Sequence, residues 1–88
     1  MPRYVVETYL AHGRAGDHLV HEARAVAAEL TRAGDTVRLE FALHVPEDEM
    51  CFFVFEAPSA HQSALAAQRA GLEPIRVVEA FTSGVTEL

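Results

Sequence analysis

Residues 36–62 read TVRLEFALHVPEDEMCFFVFEAPSAHQ, a strand, a turn, a second strand and a helix start in direct succession. From residue 36 to 45 apolar and polar side chains alternate. Val37, Leu39, Phe41, Leu43 and Val45 fall on one side, Arg38, Glu40, Ala42 and His44 on the other. Period-two alternation is the mark of a strand with one buried face. Pro46, Glu47, Asp48 and Glu49 make a tight polar turn, with proline fixing one dihedral. Residues 50–57 form a second strand, apolar on both faces and therefore expected in the middle of a sheet. So short a turn makes the two strands an antiparallel hairpin. Ser59 and Gln62 then have the spacing of a capping box, where each end satisfies a free backbone N–H at a helix start.

Working outward, the helix that starts at Ser59 extends to about Ala70 and stops at Gly71. Upstream, Gly34 sits where a left-handed helix end wants glycine. It closes a helix over about 17–33, with Asp17 as the expected N-cap. Leu19, Ala23, Val26, Ala27 and Leu30 recur there at helical spacing. Residues 12–16 are a loop, residues 4–10 a first strand rich in Tyr and Val, and residues 76–82 a last strand. The order is β-α-β-β-α-β, the ferredoxin-like pattern of the α+β class. Right-handed crossovers place both helices on one face of a four-stranded antiparallel sheet, in the order last, first, third, second.

The chain has 88 residues, a length that predicts one domain over residues 1–88. Half of them are hydrophobic, generous for a domain this small. With both helices on one face, the other is left bare, and Val5, Phe52, Val54 and Val77 are expected on it. A large apolar patch on a small chain usually meets a partner, so a two-fold homodimer, a dimeric α/β sandwich, is expected. The net charge of −6 argues against nucleic acid, which needs a basic stripe, and against an anionic membrane surface. No apolar run is long enough to span a bilayer, and the N-terminus carries no signal-peptide pattern. Cys51 is the only cysteine. It reads as a small buried apolar residue in a reduced, cytoplasmic setting.

Side chains on one face can be listed by alternation. The strand phases place Val5, Glu7 and Tyr9 together, Phe52, Val54 and Glu56 together, and Val77, Glu79 and Phe81 together. With Arg38, Glu40, Ala42 and His44 these are expected on the open face. Every strand then brings one glutamate there: Glu7, Glu40, Glu56 and Glu79. His44 adds an imidazole and Tyr9 a phenol. Adjacent strands lie about 4.8 Å apart, and carboxylates that close repel, which favours sharing a proton or a cation. Two kinds of chemistry follow, general acid–base work and divalent-cation binding by several oxygens and an imidazole. The same glutamates could instead be solvated, or pair with Arg3, Arg38 and Arg76 at a dimer interface.

Five histidines are many for this length. His12, His18 and His21 gather around the first loop and helix, and His18 shares a helix face with His21 and Glu22. They form an alternative cluster for a transition metal. His61, in the first turn of the second helix, reads as a surface residue. The chain has no GxGxxG, P-loop or GxSxG pattern, so no nucleotide cofactor or serine-hydrolase chemistry is expected.

The stretches VPEDEMCFFVFEAPSA (45–60), AGLEPIRVVEA (70–80) and MPRYVVETYL (1–10) resemble a bacterial family of small domains of formerly unknown function. That family includes a nickel-responsive, nickel-binding protein. The resemblance implies a ferredoxin-like fold, a dimer and divalent-metal binding, and the family pattern recurs at Glu7, Glu56 and Glu79.

Two functions therefore compete, beside a third in which the domain only dimerises. The first is a dimer holding nickel or a similar divalent transition metal through His44, Glu7, Glu56, Glu79 and Glu40, or through His12, His18 and His21. The second is a cofactor-independent isomerase, cyclase or monooxygenase acting on a small molecule in a cavity on the open face. Glu56 or Glu7 would be its base and His44 or Tyr9 its proton donor.

Overall fold

A sheet with one apolar face is stable only under a cover, and two amphipathic helices supply it here. The computed structural model describes residues 1–9, 16–81 and 83. Its elements are β1 (Arg3–Tyr9), α1 (Gly16–Arg32), β2 (Arg38–Val45), β3 (Met50–Glu56), α2 (Ala60–Arg69) and β4 (Pro74–Ala80). A single 3-10 turn at Pro46–Asp48 joins β2 to β3. The strands form one antiparallel sheet in the order β2-β3-β1-β4. This is the ferredoxin-like topology, in the strand order expected from the sequence.

Element ends depart from expectation by one or two residues in several places. Helix α1 begins at Gly16, so Asp17 lies inside its first turn rather than capping it. Strand β4 begins at Pro74, two residues early. Proline lacks the ladder N–H, and an edge strand tolerates that loss. Leu10 and Thr82, expected strand ends, lie outside the described residues.

The core is a sandwich of the sheet against both helices. Val6, Leu39, Cys51, Phe53 and Phe55 rise from the sheet to meet Leu19, Ala23, Ala27 and Leu30 of α1 and Ala66 and Ala67 of α2. Phe53 and Phe55 are fully buried, and truncating either to alanine removes about 3–5 kcal/mol. The alanines let the helices approach the sheet and each other closely.

Both helices stop by the same device. Gly34 has φ +103°, and the Asp35 N–H turns back to the Leu30 carbonyl at 2.9 Å. Gly71 has φ +86°, and the Leu72 N–H reaches the Ala67 carbonyl at 3.0 Å. This geometry satisfies the last carbonyls of each helix and needs a residue that tolerates positive φ. The start of α2 matches the capping box in part. Ser59 Oγ accepts the Gln62 N–H at 3.4 Å and donates to Gln62 Oε1 at 2.8 Å.

Two irregularities decide which side chains share a face. In β2, Leu39 lies opposite Phe55 and Phe41 opposite Val54, so Glu40 is an extra residue with no partner on β3. Such a bulge shifts the alternation by one beyond it. Phe41 and Leu43, expected in the core, therefore lie with Val54 and Phe52 on the open face, 42% and 57% exposed. Ala42 and His44, expected on the open face, lie opposite Phe53 and Cys51 on the helix side. In β4, Arg76 pairs with Glu7 and Pro74 with Thr8, leaving Ile75 as the extra residue. Val77 packs on the core and Val78 faces Val5. Glu79, opposite Tyr4, is thus on the helix side. Its expected face is corrected because the adjacent valines 77 and 78 leave the phase of this strand open.

Candidate functional site

The open face is organised in rows across β2, β3, β1 and β4. The first row holds Arg38, Glu56, Arg3 and Ala80. The second is apolar throughout, with Phe41, Val54, Val5 and Val78. The third holds Leu43, Phe52, Glu7 and Arg76. Beyond it Val45, Met50 and Tyr9 lie side by side. The pattern is an apolar band with charge at two of its corners.

Every charge on this face has a partner of opposite sign. Arg3 on β1 reaches across β3 to Glu40 on β2, Nε to Oε1 at 2.5 Å. Arg38 pairs with Glu56 across the β2–β3 ladder. Arg76 Nε lies 2.5 Å from Glu7 Oε2. Charge-assisted bonds of this kind are directional and hold a carboxylate in place. The bulge contributes directly: it lets Glu40 and Phe41 both face the open side, so an ion pair and an aromatic ring arise from consecutive residues.

The apolar band sinks into a depression of about 390 Å³. Arg3, Val5, Phe41, Leu43, Phe52, Val54 and Ala80 line it. Arg3 is the one charged residue of that lining, and its pair with Glu40 closes one side. A second hollow, of about 470 Å³ between α1 and β2, is bordered by Arg24 and Arg38 over an apolar floor.

The expected site residues are only partly brought together. Glu56 lies opposite Arg3 while Glu7 lies opposite Phe52. The two are four strand positions apart, about 13 Å, too far to share a proton or an ion. Glu40 and Glu56 are at the same corner, each held by its own arginine. Tyr9 is on the open face at its far end, 69% exposed. His44 and Glu79 are exposed and on the helix side. The five-residue set of His44, Glu7, Glu56, Glu79 and Glu40 is thus divided between two faces. On α1, His18 and His21 are exposed and Glu22 half-buried within one turn, while His12 lies outside the described residues. Among the described residues no three His, Cys, Asp or Glu side chains stand close enough to hold one metal ion. His61 is exposed, as expected.

Cys51 is a free, buried thiol. Burial pushes its pKa up from the ordinary 9.0, against a smaller pull from a hydrogen bond with the Phe52 backbone. A thiol held in its neutral form is a poor nucleophile. No helix among the described residues is long and apolar enough to cross a membrane.

Sequence reading missed Phe41, Leu43 and Arg3 as lining residues. The first two were hidden by the bulge. Arg3 was within reach, because it shares the phase of Val5 and Glu7 and stands one residue before the expected strand start. The sequence offers Arg3, Arg38 and Arg76 as partners of the glutamates across a dimer interface, whereas the pairs with Glu40, Glu56 and Glu7 form within one chain.

Neither a protein-family model nor a curated protein matches the chain. Among solved structures, the chain is similar to SCO4226 from Streptomyces coelicolor A3(2), with a TM-score of 0.71 and 22% identity. The match covers 93% of this chain and 99% of that one. At that identity the likeness shows the fold alone.

Proposed function

We propose that the chain is a small-molecule-binding domain whose site is the depression on the open sheet face. The observation that carries this is the lining: six apolar residues and one arginine around about 390 Å³. Ligand sites are built this way, mostly apolar with a few fixed polar groups, at volumes of roughly 300–1,000 Å³. The ligand is a small, mainly apolar organic molecule with one polar or anionic group. Its apolar part lies on Val5, Val54 and Phe52. Its polar group meets Arg3, which Glu40 holds in position.

The acid–base reading narrows accordingly. Glu40 and Glu56 stand at the charged corner beside the depression, whereas Glu7 and Tyr9 lie toward the opposite end and His44 on the other side of the sheet. The carboxylates available to a bound molecule are Glu40 and Glu56, each paired to an arginine. In that state they orient a ligand through the guanidinium.

Backbone NMR with a panel of short aromatic and alkyl carboxylates tests the reading. Shifts confined to Val5, Phe41, Phe52 and Val54, and weakened in Arg3→Gln, support it. No shifts at millimolar carboxylate, or shifts spread over the whole surface, would sink it.

A second reading, divalent transition-metal binding, draws on α1. His18 and His21 are exposed three residues apart on one helix, and a pair of imidazoles suits nickel, zinc or copper. Calorimetric titration of the whole chain with nickel, beside His18→Ala and His21→Ala, tests it. Binding weaker than millimolar, or unchanged in both variants, removes it.

A further inference from the structure

We propose that the hollow between α1 and β2 is a second binding site, and that it takes a small organic phosphate monoester with an apolar body. The hollow measures about 470 Å³, within the range of small-molecule sites. Ala27, Val37 and Leu39 make its floor and are buried. One end of it is tied. Thr31 Oγ1 on α1 donates to the Val37 carbonyl at 2.8 Å and accepts the Val37 N–H at 3.1 Å. That double bond of side chain to backbone fixes the residue before β2 against the helix, so the floor is formed before any ligand arrives.

The charges select the ligand. The chain carries 13 Asp and Glu against 7 Lys and Arg, yet among the described residues Arg24 and Arg38 line this hollow and no carboxylate does. Arg24 makes no ion pair or hydrogen bond with any described residue, so the protein leaves its charge uncompensated. Arg38 gives one nitrogen, Nη2, to Glu56 and keeps the hydrogens of its other two. Thr36, exposed at the same hollow, adds a hydroxyl donor. A carboxylate has two oxygens in one plane and is satisfied by a single guanidinium fork. A phosphate monoester has three terminal oxygens and close to two charges, enough for donors that come from the helix and the strand together. Its apolar substituent lies on the floor.

The depression on the open face differs, because its one lining arginine, Arg3, is engaged by Glu40. The two sites share no lining residue, so each stands or falls on its own. The occupant is a soluble molecule rather than a lipid headgroup, since a chain of net charge −6 is repelled by an anionic membrane surface.

Backbone NMR titration of the whole chain with hexyl phosphate at about pH 8, where the ester is a dianion, tests the inference. Shifts at Ala28, Thr31, Thr36 and Leu39 are expected, with heptanoate and inorganic phosphate each binding there about tenfold more weakly. Arg24→Gln should weaken binding roughly tenfold to a hundredfold. Arg69→Gln, which removes an exposed arginine of α2, should leave it unchanged. Ala28 is exposed, so Ala28→Phe fills the hollow without entering the core and should abolish binding, with far-UV circular dichroism checking its fold. No shifts at millimolar hexyl phosphate overturn the inference. So does equal binding of heptanoate or of inorganic phosphate, or an equal loss in Arg24→Gln and Arg69→Gln. Sedimentation with phosphatidic acid vesicles, without a response to the soluble ester, overturns it as well.

Discussion

Deleting Glu40 should leave the fold standing, while deleting Ala42, two residues on, should cripple it. Removing one residue from a strand ordinarily flips every later side chain to the other face. Glu40 is the exception, because it faces no residue of β3. Leu39 is already opposite Phe55, and Phe41 opposite Val54. Without Glu40 those two become regular neighbours, and Phe41, Ala42 and Leu43 keep their faces. What is lost is the Arg3–Glu40 pair, whose side chains are 30% and 17% exposed, a loss of about 1 kcal/mol. For a domain of this size that lowers Tm by about 4–8 °C. Deleting Ala42 pushes Leu43 into the space over Phe53 that an alanine fills, and sends His44 onto the open face. Overpacking of that kind costs about 1–3 kcal/mol, and the lost cover over Phe52 adds to it. Urea unfolding of both variants at one fixed protein concentration measures the difference. If the Glu40 deletion loses as much as the Ala42 deletion, the bulge is not where the register places it.

Three further outcomes follow from single side chains. Ser63 is fully buried and its hydroxyl has no hydrogen-bond partner among the described residues. Ser63→Ala should therefore raise stability by about 1–2 kcal/mol in urea unfolding, from the removed orphan and better helix propensity; a drop would mean the hydroxyl is bonded. Thr31 Oγ1 donates to the Val37 carbonyl at 2.8 Å and accepts the Val37 N–H at 3.1 Å. Thr31→Val leaves both backbone groups unmet and should cost about 1–3 kcal/mol, read from the same curves; no loss would show that water replaces the hydroxyl. For Cys51 the folded pKa is raised, so its contribution to stability is complete below the ordinary thiol value and fades as pH rises through the folded one. Native chain should resist alkylation at about pH 8, and Cys51→Ala should flatten the alkaline fall in the urea midpoint; rapid labelling of folded protein would contradict this.

How far the sequence could be read depended on whether a feature leaves a local trace. The hairpin, the capping serine, the two terminal glycines and the strand order all do, because turn and cap chemistry are written in neighbouring residues. The fold was legible for that reason. The bulge at Glu40 leaves no trace in RLEFALHV, which alternates without a fault. Only the partner strand shows that one residue is extra, and that single slip reassigned Phe41, Leu43 and His44. Glu79 failed differently. With valine at both 77 and 78, either phase buries an apolar residue, and contact with Val6 and the helices decides between them. Arg3, Arg38 and Arg76, offered by the sequence as partners across a dimer interface, instead pair with Glu40, Glu56 and Glu7 within one chain; for Arg38 and Arg76 the partner is the facing residue of the neighbouring strand, an ordinary consequence of strand pairing.

The same two irregularities act on the sheet's borders as well as on its face. β2 and β4 are the edge strands, and a row of free backbone donors and acceptors is an invitation to fibril growth. One edge is bent by the extra Glu40, and the other carries the extra Ile75 beside Pro74, which has no N–H to offer. Neither border presents a straight template that a stray strand could lengthen. An apolar, strand-rich chain of this size thereby keeps its apolar open face while avoiding sticky edges, which works against growth into an open-ended filament.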